Sequence, residues 1–437
     1  MDGLSSVHLV TETVDGRYQL HDLVRGYARH LSTVHDADRD RQASLTRLFD
    51  YYRGTAGAAM DMAFPLGRDR RPTLLTPSRA FADAHAARGW LDSERLNLLA
   101  VTSAAAEDWP GHLTDLAGTL ALYFDISGHH ADAITLHSRA LAAAQATRDR
   151  PARATALRNL GVACWQRGEA TDFYLRQLTL WRELGDRRGE SNALDNLGSV
   201  HQRRRRYAEA GACHERAAAI ARTLGDRAGE ANCRNNLGIV RQWQGRHDEA
   251  RGLHEWALAR YREAGDRNGE LAALDNLGSL LRRQNQPEEA AEYFTMALTI
   301  ARDIGDRTSE AVVLDGLGLV RMQQSRYDVA YDHHQQALTI AHEIGAPQVA
   351  MAALNGLGEA ARAAGHLDEA LGHHLAALRS DVDDLYQQAR AHDNLARIRA
   401  ETGELDAASD DRRRARALFA ELRAPDAEDV RRRTGTP

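Results

Sequence analysis

The feature that most constrains this chain is its self-similarity. The segments GDRRGESNALDNLG, GDRAGEANCRNNLG, GDRNGELAALDNLG and GDRTSEAVVLDGLG end at Gly198, Gly238, Gly278 and Gly318, and AALNGLG ends at Gly358, each 40 residues after the last. A small residue recurs in phase at Ala210, Ala250, Ala290, Ala330 and Ala370, followed seven residues later by Ala217, Ala257, Ala297, Ala337 and Ala377. A unit this short buries too little apolar surface to stand alone, so the repeat demands stacking, with each unit covering its neighbour.

Each period reads as two helices. The first, from about Glu230 to Gln244, carries Cys233, Leu237 and Val240 on one stripe. Gly245 ends it, and a second helix from about His247 to Ala264 places Ala250, Leu253, Ala257 and Leu258 on one side. Gly265 stops that helix and Asp266 is suited to cap the next. The small residues Gly238, Ala250 and Ala257 let the two axes approach closely. Weaker copies extend the register. Leu120-Ala121, Gly128, Ala133 and Ala140 fit a first unit, and Asn159-Leu160-Gly161 with Gly168 opens a second. Asn394-Leu395-Ala396, Gly403 and Ala408 form a last one, which predicts eight helical hairpins between about Gly111 and Arg423. Atypical end units suit an array whose termini face water.

Composition limits the chemistry. The 437 residues include 56 basic and 62 acidic side chains, a net charge of −6, which leaves no basic surplus for general nucleic-acid binding. Every basic residue is arginine, so the phosphate-loop ATPase signature and Schiff-base catalysis are both excluded from this sequence. Cys164, Cys213 and Cys233 are too few for a disulfide framework and suit a reducing interior. No apolar run approaches the roughly 18 residues of a membrane span, and the first residues lack a secretion-signal layout. The expectation is a cytoplasmic protein without membrane contact. No enzymatic activity is expected: no Ser/His/Asp order, carboxylate pair or glycine-rich phosphate loop has supporting context, and no catalytic residue, cofactor or metal is expected.

The first 110 residues differ. His8-Leu9-Val10 lead to a turn at Asp15-Gly16 and a return strand Arg17-Tyr18-Gln19-Leu20, a hairpin signal. A helix from Leu23 to Leu31 follows, with Asp22 placed to cap it, then a helical stretch around Ala43 to Met60. A loop holding Pro65, Arg68 to Pro72 and Pro77 leads to a helix from about Asp92 to Glu107. The expected organisation is a segment at 1–32 that resembles the end of a winged-helix subdomain, a helical linker at 33–110, the repeat array at 111–423 and a tail at 424–437.

The leucine-glycine pair, the inter-helix glycine and the two alanines of the second helix resemble the tetratricopeptide repeat. The 40-residue period and the asparagine before Leu-Gly are similar to the long variety found in kinesin light chains and Pins-type polarity scaffolds. The usual aromatic of the first helix is replaced by His201, Arg241, Leu281, Arg321 and Ala361. The resemblance implies an all-α, right-handed superhelix, an α-solenoid, with the first helices lining a concave groove.

Arg17-Tyr18-x-x-His21-Asp22-Leu23-Val24-Arg25-x-Tyr27-Ala28 resembles the end of the winged-helix subdomain in NB-ARC-type signal-transducing (STAND) NTPases. With Trp90, Leu91, Glu94, Arg95, Asn97 and Leu98 it looks like the linker of actinobacterial AfsR/SARP-type regulators. That likeness implies a sensor array working with an NTPase domain, either in a larger regulator of which this is the C-terminal part or in a relative lacking the front. It also implies that His21 meets bound nucleotide phosphate only when such a domain is present. Without one, His21 reads as a histidine at a helix start.

Candidate ligand-binding residues follow from geometry. The asparagines before the core leucines lie about 100° off the buried stripe. With positions i−4, i+3 and i+7 they draw the lines Asn192/Asn196/Ser199/Arg203, Asn232/Asn236/Ile239/Trp243 and Ala272/Asn276/Ser279/Arg283. Amides offer donors and acceptors to a peptide backbone, Arg203 and Arg283 suit acidic groups, and Trp243 can anchor apolar ones. The same asparagines could instead stitch neighbouring helices together. His137, His214, His254, His334 and His374 share one repeat position with Tyr174 and Phe294, which points to packing rather than metal binding. The expected partner is a protein or peptide held in the groove, coupled to an NTPase switch in transcription control. A freestanding scaffold and a peptide pheromone receptor are the alternatives.

Overall fold

The computed structural model describes residues 10–12, 18–65, 68, 71–72, 79–165, 170–380, 382 and 384–422. Residues 8–9, the Asp15-Gly16 turn, Pro77, Gly168, Arg423 and the 424–437 tail lie outside them. The chain divides into two compact units, Met1–Leu184 and Gly185–Pro437.

In the first unit, β1 (Val10–Glu12) pairs antiparallel with β2 (Tyr18–Leu20), Val10 opposite Leu20. Helix α1 spans Asp22–His35 and buries none of its residues. Its cap is His21, whose Nδ1 accepts from the Leu23 N–H at 3.3 Å. Asp22 is therefore not the cap that the sequence pattern suggests; it is the first helical residue, where its charge complements the helix dipole.

Helix α2 covers Asp38–Ala63, beyond both sequence-based bounds, and α3 covers Ala84–Ala104, starting earlier than expected and ending before Glu107. Asp83 starts α3 early by accepting from the Ala86 N–H at 2.7 Å. Two hairpins follow, α4 (Pro110–Ile126) with α5 (His130–Ala146) and α6 (Arg150–Ala163) with α7 (Ala170–Leu184). Phe49, Met60, Leu91, Leu98, Leu113, Leu120 and Phe124 form the centre of this unit's core. The linker motif holds α3 in place. Trp90, Leu91 and Leu98 are buried, Glu94 accepts from Tyr52 Oη at 3.1 Å, and Arg95 pairs with Asp132 on α5.

The second unit holds six hairpins. They are α8 (Arg187–Arg203) with α9 (Tyr207–Thr223), α10 (Arg227–Trp243) with α11 (His247–Ala264) and α12 (Arg267–Arg283) with α13 (Pro287–Ile304). Then come α14 (Arg307–Gln323) with α15 (Tyr327–Glu343), α16 (Pro347–Ala363) with α17 (Leu367–Leu378) and α18 (Leu385–Glu401) with α19 (Leu405–Glu421). With the two of the first unit they make the eight expected from the sequence. Within the second unit each helix packs on the next, and the first helices of successive repeats also touch one another, as in an α-solenoid.

The GDR-x-x-E segment explains the boundaries. The glycine takes the left-handed conformation, φ 68° at Gly225 and 67° at Gly265, which glycine adopts without steric cost. The aspartate then caps: Asp226 and Asp266 accept from Gly229 and Gly269 N–H at 2.9 Å. The buried glutamate ties the repeat to the helix before it, since Arg222, Arg262 and Arg302 donate to Glu230, Glu270 and Glu310, each at 2.8 Å. The turn within the hairpin is less strict. Arg205, Asn285 and Ser325 hold φ of 56° to 58° where Gly245 stands in its repeat.

Candidate functional site

The sequence-derived lines fall on the solvent-facing side of the first helices. Asn192, Asn232, Arg203 and Arg283 are exposed, and Asn196, Asn236, Asn276 and Trp243 are half-buried beside the buried Leu197, Leu237 and Leu277. Because first helices of adjacent repeats contact each other, these lines stand side by side within the second unit.

Behind them runs a polar ladder between the two helices of each hairpin. Asp195, Asn235, Asp275, Asp315 and Asn355 occupy one position of the first helix, and His214, His254, Phe294, His334 and His374 face them from the second. His214 Nδ1 lies 2.7 Å from Asp195 Oδ1, His254 Nδ1 2.7 Å from Asn235 Oδ1, His334 Nδ1 2.7 Å from Asp315 Oδ1 and His374 Nδ1 3.1 Å from Asn355 Oδ1. With an oxygen as acceptor in every case, the Nδ1–H donates, which fixes the tautomer.

All four rings are fully buried. Burial pushes His254 and His374 down to about 4, so both are neutral at neutral pH. The rings explain the Leu-Gly pair: a Cβ at Gly238 would come within 2.6 Å of the His254 ring, and one at Gly318 within 2.5 Å of His334. These histidines belong to the core, as their exchange with Tyr174 and Phe294 suggests. Among the described residues no group of three His, Cys, Asp or Glu side chains is placed to hold a metal ion.

The structure separates the candidate ligand residues into two sets. Asn232 Nδ2 donates to Asp195 Oδ2 at 2.9 Å, and Asn236 Nδ2 to the same oxygen at 3.1 Å. These two amides stitch α10 to α8. Trp243 is also engaged: Arg283 lies over its ring at 4.2 Å, and Tyr207 stacks parallel to it at 6.2 Å. In contrast, Asn192, Asn196 and Asn276 have no side-chain partner among the described residues. His21, on the first unit, stands at its helix start with an exposed side chain.

Two half-buried groups of α12, Asp275 and Arg282, escaped the sequence reading. Asp275 holds the position of Asp195, yet each donor that serves Asp195 is missing: His214 becomes Phe294, Asn232 becomes Val312 and Asn236 becomes Gly316. Burial without compensation pushes its carboxyl up to about 6. Arg282 is half-buried and has no ion-pair or hydrogen-bond partner for its guanidinium among the described residues. Burial pulls its pKa down, the charges of Arg283 and Arg390 add to this, and Tyr386 and Asp315 oppose it. Arg390 itself is neutralised by Glu359 at 2.8 Å. The signal for Asp275 was present as a simultaneous change at three in-phase positions. It becomes readable only once those positions are known to meet.

Comparison with known proteins agrees with this architecture. Residues 189–263, 229–303 and 309–381 match the tetratricopeptide repeat family, so this stretch is built of tetratricopeptide repeats. The regulatory protein AfsR of Streptomyces griseus is 28% identical over 272 residues, an alignment covering 50% of this chain and 27% of AfsR. The chain thus spans about a quarter of that relative's length. Among solved structures, a signal transduction ATPase with numerous domains from Pyrococcus horikoshii, which has a tetratricopeptide repeat sensor, superposes with a TM-score of 0.57 at 14% identity. It covers 96% of this chain and 58% of its own. A Rap protein complexed with competence and sporulation factor gives 0.52 at 14% identity, covering 74% and 96%. At such identities the structural likeness shows the fold. No helix among the described residues is long and apolar enough to cross a membrane.

Proposed function

We propose that this tetratricopeptide-repeat chain, a protein-interaction module related to AfsR, is the peptide- or protein-binding sensor of a STAND-type transcriptional regulator. The ligand lies across the first helices of the second unit. One observation carries the reading: Asn192, Asn196 and Asn276 hold amides on the solvent-facing side of stacked helices with no internal partner. An amide so placed can donate to a backbone carbonyl and accept from a backbone N–H of an extended peptide. Occupancy can drive a linked NTPase domain only through different affinities for its two states. Within a regulator of this kind, the winged-helix end at 1–32 and the linker at 33–110 join that domain to the array at 111–423.

The test is selection of a displayed random-sequence peptide library on the intact chain, followed by replacement of Asn192, Asn196 and Asn276 together by Ala. The triple variant should lose the selected peptides while its helix content and melting stay unchanged. Retained binding would remove the assignment. Replacing Asn232 and Asn236 should instead cost stability, since those amides hold Asp195.

A further inference from the structure

The carboxylate of Asp275 sits where its counterpart Asp195 takes hydrogen bonds from His214, Asn232 and Asn236. Around Asp275, Phe294, Val312 and Gly316 offer no side-chain donor at all. Leaving a partly desolvated carboxylate unpaired is unfavourable in the free protein, and no side chain among the described residues supplies the missing donor. Val312, 41% exposed, adds apolar surface on the next repeat, while Phe294 is fully buried.

Seven residues further along the same helix stands Arg282, a guanidinium with no partner among the described residues, next to Arg283. Positions seven apart share a helix face and lie roughly 10 Å apart along its axis. The other charges nearby are already spent on internal contacts: Glu359 on Arg390 at 2.8 Å, and Asp315 on His334 at 2.7 Å. No ion pair joins Asp275 to Arg282. Helix α12 therefore carries one unpaired negative and one unpaired positive group, both half-buried and each next in sequence to a residue of the line that the proposed function assigns to ligand, Asn276 and Arg283.

We infer that Asp275 receives an ammonium or guanidinium group of a bound peptide and that Arg282 receives a carboxylate of the same peptide. An extended peptide advances about 3.3 Å per residue. The groove thereby selects peptides carrying a basic and an acidic group about three residues apart. The array's net excess of acidic residues gives no such selectivity by itself; the two unpaired groups do. This inference rests on the groove reading and names the ligand class that it would take.

The experiment selects a displayed random-sequence peptide library on the intact chain and measures the affinity of a selected peptide by fluorescence anisotropy. Selected sequences should hold Lys or Arg about three residues from Asp or Glu. Asp275→Asn and Arg282→Gln should each weaken binding about tenfold or more, the scale set by truncating one partner of a desolvated charge pair. Replacing the peptide's basic residue by norleucine should abolish the effect of Asp275→Asn, which locates the pair by a double-mutant cycle. Thermal melting of Asp275→Asn, expected at or above that of the parent chain, separates a binding loss from unfolding. Peptides that bind with affinity indifferent to both substitutions overturn this inference and leave the groove reading intact. A library from which nothing is selected overturns both.

Discussion

Asp195 and Asp275 occupy the same position two repeats apart, and their surroundings are opposite. At Asp195 the carboxylate is a hub: His214 of its own hairpin and Asn232 and Asn236 of the next repeat all converge on it, so two stacked hairpins are fixed by one side chain. At Asp275 the hairpin is closed by Phe294, a fully buried ring that also fills the space above Gly316. There the apolar contact holds the repeats and the carboxylate contributes nothing to them. One position can therefore serve cohesion in one repeat and remain open for recognition in another, because neighbour contacts in a stacked array are set repeat by repeat.

Three substitutions test this contrast, in order of expected effect. Asp195→Ala leaves His214 and two asparagines without their acceptor and should cost about 3 kcal/mol in chemical denaturation. A loss no larger than that of an exposed aspartate would mean the hub does not hold the repeats together.

Asp275→Asn should act in the reverse direction. Its carboxyl is pushed up to about 6 in the folded chain, against about 3.9 unfolded. The folded state holds this proton more tightly, so the penalty is absent below about pH 4 and grows as pH rises through 6. The variant should gain about 2 kcal/mol at neutral pH and nothing at about pH 4. A loss at neutral pH would show that Asp275 has an internal partner after all.

The smallest effect concerns His254, which burial pushes down to about 4. The unfolded chain binds this proton from about pH 6.5 downward, so stability is lost as pH falls from there toward 4. His254→Phe, the exchange already present at Phe294, should blunt that acid sensitivity by about 1 kcal/mol at pH near 6, at the cost of one hydrogen bond to Asn235. Parallel pH profiles for the parent and the variant would count against a buried neutral ring.

Much of the architecture was legible because the repeat states it many times. The bounds of α11, the cap at Asp266, the left-handed Gly265 and the buried histidine row all follow from periodicity and turn chemistry. In the N-terminal region a single copy gave weaker boundaries, and His21 rather than Asp22 caps α1. Helix geometry puts the asparagines beside the core leucines, where they are exposed or half-buried, but it does not tell which of their amides have partners. Asn232 and Asn236 look the same as Asn192 and Asn196 in one dimension, but the former pair reaches an aspartate on the first helix of the preceding repeat.

The sequence alone determined the fold, since a 40-residue period of two amphipathic helices has only its neighbours to bury against. Tertiary structure decided which polar groups are spent and which are free. Hydrogen bonds such as Asn236 to Asp195 join residues 41 apart, and a contact across repeats depends on the three-dimensional meeting of side chains that no local pattern encodes.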